Sequence, residues 1–401
     1  MLALGVSLEL ANVQISMFFI SVQMSFVKMN QGVGISAIAV NFPECVRTND
    51  YWKKNYPEFL TELEQKNQKV RLFDNDSQEN ANWVQAVKPY REDIFRGALE
   101  RRVLGENETS ISLECGAIEK VLQANKIEIN NVELLISCAM FPEELVIGNA
   151  THIAQKLGFR GVAWNLNATC GGALLALENA VALIRDKRFN RVLVSLSCNY
   201  SKHIEYTNSF SFTLGDGSAA FIVEKLEEGQ GLLHSYSTNT HDTCGVIYPR
   251  FTVDQMGNPR VLITVNKDLV KHATSLFIKY FQECCRKVLF ESGMKVRDID
   301  YFIFYPPAAG YVDFCALELN IPKDKIIDIF PKYGNISVVS AMAALYHAAT
   351  LKKIRKDDLV MIYSHGFSGS SVASIIRWGD VALGSAPTYS ENLIPTLVGA
   401  R

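Results

Sequence analysis

The sequence predicts an α/β protein made of two related halves, with sheets layered against helices. Two observations carry this prediction: one helix-to-strand unit occurs twice along the chain, and a second unit, built around a buried helix, also occurs twice. The length of 401 residues suffices for two domains or for one large duplicated domain. Regular alternation of strands and helices favours layered sheets with helices between or outside them.

The first repeated unit is a helix that passes through a short polar link into an apolar strand. A helix over 110–126 leads into a strand over 134–139, and a helix over 273–293 leads into a strand over 301–305. In both copies the link carries a Val or Ile beside acidic residues, and the strand is continuously apolar. The same order twice in one chain indicates an internal duplication.

The second repeated unit is an apolar helix followed by a buried strand. One copy has a helix over 170–188 and a strand over 191–197; the other has a helix that starts in 333–345 and runs to about 354, and a strand over 358–363. Each half then closes with a Gly/Ser-rich turn and an apolar strand. These closing segments are 213–224 and 366–377.

The repeats place the two halves at about 30–228 and 229–380. Residues 1–29 are an N-terminal extension of uncertain status, because polar residues interrupt their apolar run and no basic segment precedes it, as a signal peptide would require. Residues 381–401 are assigned to a tail. The segment 51–96 is rich in charged and aromatic residues and reads as an insertion that caps the scaffold and shapes a pocket. Its helices are predicted at about 50–66 and 78–88.

The composition excludes several classes of partner. A net charge of −2 gives no reason to expect nucleic acid or an anionic membrane. The nine cysteines form no C-x-x-C pair and no zinc-finger spacing, and most lie in apolar runs, which favours a reducing cytoplasm. We therefore expect a cytoplasmic protein that has neither a metal nor a cofactor and does not associate with a membrane.

Cys170 is the residue around which the chain is organised. It ends a polar run that starts at Trp164 and is followed by Gly171, Gly172 and an apolar helix. At a helix start, unpaired N–H groups and the helix dipole favour thiolate over thiol, and the glycines let a substrate approach the sulfur. The alternative is a small buried residue. Asn335 begins the second buried helix, and in a duplicated fold the two helix starts meet, which favours a covalent nucleophile.

Four motifs now carry a resemblance. They are the segments 97–102 (Gly-Ala-Leu-Glu-Arg-Arg), 167–172 (Asn-Ala-Thr-Cys-Gly-Gly), 214–220 (Leu-Gly-Asp-Gly-Ser-Ala-Ala) and 333–337 (Tyr-Gly-Asn-Ile-Ser). In this order the sequence resembles the thiolase superfamily and, within it, the ketoacyl-ACP synthase III branch. The resemblance covers about residues 31–380.

The resemblance implies a homodimer with a duplicated, five-layered αβαβα thiolase-like fold. It implies acyl-CoA or acyl carrier protein as partner, with a tunnel for the pantetheine arm. The acyl group of a thioester would pass to Cys170, with backbone N–H groups near the sulfur holding the oxyanion, and then to a second substrate that Asn335 orients. In the family's main reaction this second substrate is malonyl-ACP, which loses CO2.

One departure from the family pattern concerns a histidine. Family members that decarboxylate malonyl thioesters use Cys, His and Asn, and here the histidine position falls on Tyr305. Three substitutes are open. Tyr305 could donate to the oxyanion or simply pack at a strand end; His365 could act as base or hold its turn; and Glu143 or Glu144 could supply a carboxylate or lie in a solvated loop.

The remaining substrate-binding candidates are two arginines and two glycines. Arg101 and Arg102 would meet the phosphates of CoA or of the carrier protein, or form a solvated pair. Gly171 and Gly369 would line the substrate site.

These observations lead to a ketoacyl-ACP synthase III-like acyltransferase or condensing enzyme of fatty-acid-like, polyketide or other specialised metabolism. Ester- or amide-forming transfer without decarboxylation is open. The alternatives are a catalytically reduced subunit that pairs with a homologue, and a Cys-dependent thioesterase, which would need a base to activate water.

Overall fold

Strands and helices alternate along the chain, and this computed structural model describes residues 31–67, 80–254, 256–266 and 268–387. The predicted N-terminal extension and part of the insertion lie outside these residues. The strands are β1 (Val33–Asn41), β2 (Cys45–Thr48), β3 (Glu100–Val103), β4 (Leu134–Met140), β5 (Val162–Asn165), β6 (Arg191–Asn199), β7 (Asp216–Lys225), β8 (Gly231–Asn239), β9 (Ile247–Val253), β10 (Pro259–Val265), β11 (Tyr301–Phe304), β12 (Leu359–His365), β13 (Ser370–Arg377) and β14 (Ala382–Leu383). The helices are α1 (Asp50–Asn55), α2 (Pro57–Asn67), α3 (Ala81–Val87), α4 (Ser110–Asn125), α5 (Ala150–Leu157), α6 (Gly172–Arg185), α7 (Ala273–Ser292), α8 (Tyr311–Leu319), α9 (Phe330–Tyr333) and α10 (Ser340–Thr350).

The sheet topology repeats. In the first half the order is β1-β7-β6-β4-β5, with β1–β7 and β7–β6 antiparallel and the remaining pairs parallel. In the second half the order is β8-β13-β12-β11 with the same directions, and Ile326 pairs with Phe302 where the first half has β5. The pair Val33–Gly231 joins these two half-sheets into one ten-stranded sheet across the described residues. The predicted duplicated α/β fold is confirmed.

Five layers follow from which helices cover which faces. Helix α6 packs on strands of both sheets and on the turn before α10, and α10 contacts β1, β11 and β12. Helix α4 covers the outer face of the first sheet, and α7 covers the outer face of the second. A helix buried on all sides must be apolar around its circumference, as the run of buried residues in α10 shows.

The insertion packs on both halves. Trp52 of α1 is fully buried and its ring lies against Phe212 of the first half, while Trp83 of α3 lies against Phe314 of the second. The helix predicted over 50–66 is two helices that break at Tyr56, because Pro57 has no N–H to continue the first one.

The end of the described chain is part of the first sheet. Strand β14 runs parallel to β1, with Ala382 beside Ala37, so the prediction of a tail from residue 381 is wrong for residues 382–383; residues 388–401 lie outside the described part. None of the helices in the described ranges is both long and apolar enough to cross a membrane.

Candidate active site

Cys170 lies in a 3-10 turn, Thr169–Gly171, directly before α6. The second half has the matching turn, Ser337–Val339, directly before α10. Thr169 and Ser337 are equivalent and both adopt a left-handed backbone, with φ of 50° and 51°. A β-branched residue such as threonine rarely takes this conformation, and such outliers concentrate at functional sites. The two turns meet, as the duplication predicted.

The Cys170 sulfur is buried among hydroxyl groups. Ser337 Oγ lies 3.2 Å from Sγ, and the hydroxyls of Tyr305 and Tyr200 also reach the sulfur. Burial raises the pKa of the Cys170 thiol, while hydrogen bonds from Ser337, Tyr305, its own backbone N–H and Tyr200 act in the opposite direction. The net direction is upward, which opposes the expectation that the helix start favours the thiolate of Cys170.

Asn335 is held with its side chain in one orientation. Its Oδ1 accepts a hydrogen bond from the Ser337 backbone N–H at 2.8 Å and one from the Tyr305 hydroxyl at 3.1 Å. Because a backbone N–H can only donate, this contact identifies the oxygen of the amide. The Asn335 backbone pairs with Thr213 at 2.7 Å. Nδ2 is therefore the group with which Asn335 can donate to a substrate.

Tyr305 meets both predicted catalytic residues. It follows β11, its side chain is buried, and its hydroxyl faces Asn335 and the Cys170 sulfur. Burial and the neighbouring thiol hold the Tyr305 pKa well above its usual range. The group is a neutral donor at physiological pH, and it cannot serve as a base there.

The glycines near Cys170 serve packing between the halves. A Cβ on Gly171 would lie 2.3 Å from the Ser370 carbonyl oxygen, and a Cβ on Gly369 would lie 2.5 Å from Thr169 Oγ1. Ser364 Oγ adds a hydrogen bond to the Cys170 carbonyl at 2.7 Å. Packing against β13 thus accounts for glycine at position 171, while the role of Gly171 in admitting substrate stays a prediction.

His365 lies in an aromatic pocket. Its Nδ1 is 2.5 Å from Ser371 Oγ, and its ring contacts Phe277, Tyr280 and Phe367. Burial lowers its pKa to about 3. These contacts favour the alternative in which His365 holds its turn.

Glu143 is tied into the structure, whereas Glu144 faces solvent. Glu143 Oε1 accepts from the Ser110 backbone N–H at 2.7 Å and from Ser110 Oγ at 3.2 Å, at the start of α4. The glutamates begin a loop with three consecutive exposed apolar side chains. These are Leu145, Val146 and Ile147, which are 62%, 98% and 58% exposed.

Neither arginine is presented to solvent. Arg101 is 1% exposed, and its guanidinium donates to the Phe212 carbonyl and to Asn49 Oδ1 and lies over the Trp52 ring. Burial lowers the pKa of Arg101 to about 9. Arg102 is also buried, and it donates to the Pro43 carbonyl. Both the phosphate-binding and the solvated-pair predictions for these arginines are contradicted.

Sequence reasoning missed Tyr200 and Ser337. Tyr200 follows β6 in a 3-10 turn, and no motif or spacing relates it to Cys170. Ser337 lies in the segment 333–337, but its contacts with the Cys170 sulfur and the Asn335 amide form only where the two turns meet. Within the described ranges, no group of three or more His, Cys, Asp or Glu residues could hold a metal ion.

Comparisons with known families agree with this architecture. Residues 164–240 match the family model described as 3-oxoacyl-[acyl-carrier-protein (ACP)] synthase III, and residues 289–378 match its C-terminal model. Beta-ketoacyl-[acyl-carrier-protein] synthase III of Brucella suis is 28% identical over 294 residues, which cover 70% of this chain and 88% of the relative. The Chelativorans protein of the same name is 27% identical over 292 residues, with the same coverage.

Solved structures share the fold. The 3-oxoacyl-[acyl-carrier-protein] synthase III of Aquifex aeolicus aligns with a TM-score of 0.68 and 23% identity over 86% of this chain and 100% of its own. A variant of Xanthomonas campestris OleA, solved with lauric acid and lauroyl-CoA, aligns with a TM-score of 0.69 and 16% identity over 87% of this chain and 100% of its own.

The duplicated sheets, the two central helices and the paired turns define a thiolase-like protein. Within that class the chain is ketoacyl-ACP synthase III-like, since both matching family models describe synthases of that branch and the relatives above carry its name.

Proposed function

We propose that this protein takes an acyl group from a CoA or acyl carrier protein thioester onto Cys170 and transfers it to a second substrate. The observation that carries the proposal is the meeting of the two helix starts. Cys170 and Asn335 share Ser337 as a partner: its hydroxyl lies at the sulfur and its N–H fixes the Asn335 amide. The names of the relatives supply the carrier class, since those proteins are synthases of acyl-carrier-protein thioesters.

The loading step is a thioester exchange. The Cys170 sulfur forms a bond to the acyl carbonyl carbon while the carbon–sulfur bond of the donor breaks, and the Cys170 proton ends on the departing thiol. Atoms and charge balance without an external base. Because the neutral thiol is a weak nucleophile, donors around the sulfur matter most as negative charge develops, and three hydroxyls lie there.

Asn335 and Tyr305 would act on the second substrate. The Asn335 amide offers Nδ2 as a donor, and Tyr305 offers a phenol that stays protonated. Two such donors suit an oxyanion on the second thioester or on the acyl-enzyme, provided that the Tyr305 O–H turns from Asn335 Oδ1 to the substrate; Tyr305 would then stand where related enzymes have histidine. The proton of the acceptor must then leave by another route, so ester- or amide-forming transfer and non-decarboxylative condensation remain within the proposal.

We further propose that the protein assembles as a dimer through the loop that holds Leu145, Val146 and Ile147. Three consecutive exposed apolar side chains are costly to leave in water. Burying each of them against a partner would stabilise the assembly. A second copy gives a homodimer, and a homologous chain gives a heterodimer.

The proposal is tested by intact-protein mass spectrometry after incubation with a panel of acyl-CoA and acyl-ACP thioesters. A mass gain of one acyl group that is absent in Cys170→Ala supports the nucleophile and identifies the donor. Acceptors, malonyl thioesters included, are then added to the loaded protein.

The competing function is a catalytically reduced subunit that pairs with an intact homologue. The buried thiol with its raised pKa is the observation that favours it. No adduct with any donor, in folded and dimeric protein, would overturn the acyltransferase proposal in favour of this one.

A further inference from the structure

Behind the first sheet lies a buried polar network centred on Glu114 of α4. Glu114 is 0% exposed. Its Oε2 accepts from Ser137 Oγ at 2.8 Å and from Ser195 Oγ; its Oε1 accepts from Ser197 Oγ at 2.7 Å and from Asn149 Nδ2 at 2.7 Å. Four donors on two oxygens match the acceptor capacity of a carboxylate. A buried polar group of this kind is costly unless every partner is present.

The four donors come from three separate places. Ser137 is on β4, Ser195 and Ser197 are on β6, and Asn149 stands just before α5. Glu114 therefore ties α4 to two neighbouring parallel strands, at Ser137 in the middle of β4 and at Ser195 and Ser197 of β6, and to the segment that follows β4.

Both strands end close to residues that surround the Cys170 thiol. Three residues after Ser197 comes Tyr200, whose hydroxyl reaches the Cys170 sulfur. Just after β4 comes Phe141, whose ring contacts the Tyr200 ring edge-on at 6.1 Å and stacks on His203 at 4.2 Å.

Asn149 extends the network to the exposed loop. Its Oδ1 accepts from the Glu143 backbone N–H at 3.0 Å, so its Nδ2 must face Glu114 and Ser110 Oγ. A flipped Asn149 amide would lose its contacts with the Glu143 N–H and with Glu114, because Nδ2 cannot accept from an N–H and Oδ1 cannot donate to a carboxylate. The segment 141–149 is thus held at its start by Phe141 and at its end by Asn149.

We propose that Glu114 is a positioning residue for the Cys170 site: through β6 and the segment after β4 it holds the Tyr200 hydroxyl at the sulfur. The inference concerns the residues that tune Cys170, and its catalytic meaning rests on the proposed function. Glu114 itself lies on the opposite face of the sheet and touches neither Cys170 nor a substrate.

The test measures the alkylation rate of Cys170 with iodoacetamide as a function of pH, with each cysteine resolved by peptide mass spectrometry because Cys45 and Cys244 are exposed. The hydrogen bond from Tyr200 lowers the Cys170 pKa, so Glu114→Ala should move the profile to higher pH and slow alkylation at pH 7.5 about fivefold, since each pKa unit is a tenfold change in thiolate. Tyr200→Phe should have a similar effect, and the double variant should be no slower than Tyr200→Phe alone.

The matched control is Glu318→Ala. Glu318 of α8 also accepts from three amide side chains, those of Asn80, Asn82 and Gln282, but it lies on the far side of the second half. Its loss should leave the Cys170 profile unchanged. If Glu114→Ala does not fold, Glu114→Gln and Ser197→Ala carry the test, with smaller shifts in the same direction.

A wild-type profile in the Glu114 variants would overturn the proposal, and so would an effect of equal size in the Tyr200→Phe background, because Glu114 would then act independently of Tyr200. Alkylation requires no acyl donor. The outcome is therefore separate from that of the acyl-loading experiment, which alone decides the proposed function.

Discussion

Gly171→Ala is expected to destabilise the protein by pushing the two halves apart. The new Cβ would lie 2.3 Å from the Ser370 carbonyl oxygen, about 1.1 Å short of the ordinary contact of 3.4 Å. Both atoms belong to rigid parts, because Ser370 begins β13 and its carbonyl accepts the Gly366 N–H at 3.0 Å. Overpacking of this kind costs roughly 1–3 kcal/mol, and the helical φ of −73° at Gly171 means that backbone strain adds nothing.

The assay is urea unfolding with linear extrapolation, and Gly172→Ala is its matched control. A Cβ on Gly172 meets Val338 Cγ2 at 3.3 Å, a methyl group that can yield, and alanine there adds helix propensity worth up to about 1 kcal/mol. We expect Gly171→Ala to fall about 2 kcal/mol below wild type and Gly172→Ala to stay near it. Equal stability of both variants, with acyl loading lost only in Gly171→Ala, would refute the packing argument and restore the substrate-access interpretation.

The other predictions concern the thiol, acid stability, Tyr305 and the exposed loop. Ser337→Ala removes a hydrogen bond that lowers the Cys170 pKa, so the pH profile of Cys170 alkylation should move upward, with a rate several-fold lower at pH 7.5; an unchanged profile would contradict the 3.2 Å contact. Burial lowers the pKa of His347 to about 4. Because the unfolded chain takes up this proton at a higher pH, near 6.5, the free energy of unfolding is highest above that pH and falls as the pH drops toward 4. At pH 5 the loss is about 2 kcal/mol. His347→Gln should flatten this part of the stability curve measured by urea unfolding, whereas substitution of the exposed His241 should leave it in place. Tyr305→Phe removes one of the two partners of Asn335 Oδ1 and should slow transfer from the acyl-enzyme about tenfold while the acyl-enzyme still forms, as quenched-flow mass measurements would show; a wild-type transfer rate would leave Tyr305 as a packed aromatic. Val146→Glu places a charge on a side chain that is 98% exposed, so the folded chain should keep its stability while the oligomeric state measured by light scattering falls; an unchanged mass would exclude this loop as the contact.

The duplication was predictable because it rests on order and periodicity, which are local properties of the sequence. The encounter of Cys170 with the Asn335 segment followed from it, since equivalent helices of two related halves meet at their starts. Tyr305 was located by the departure from the motif, and the structure brings its hydroxyl to Asn335.

The direction of the Cys170 pKa could not be predicted in the same way. The helix start favours a thiolate, but the pKa depends on how completely the fold removes water from the sulfur, and the sequence does not give that burial. Arg101 illustrates the same limit: its motif suggested a surface cation, yet the insertion covers it through Trp52. Tyr200 could not be identified from the sequence as a neighbour of Cys170, because its approach to the sulfur depends on where β6 ends.

At the paired turns that begin with Thr169 and Ser337, the two copies of the duplicated unit contribute different chemical groups. One copy carries the sulfur, and the other carries the hydroxyl that meets it at 3.2 Å. Neither half holds a complete reactive centre, so the thiol environment is a property of their relative placement. A substitution that shifts one half against the other by a fraction of an ångström would alter Cys170 while both halves stay folded, and loss of reactivity should precede loss of structure.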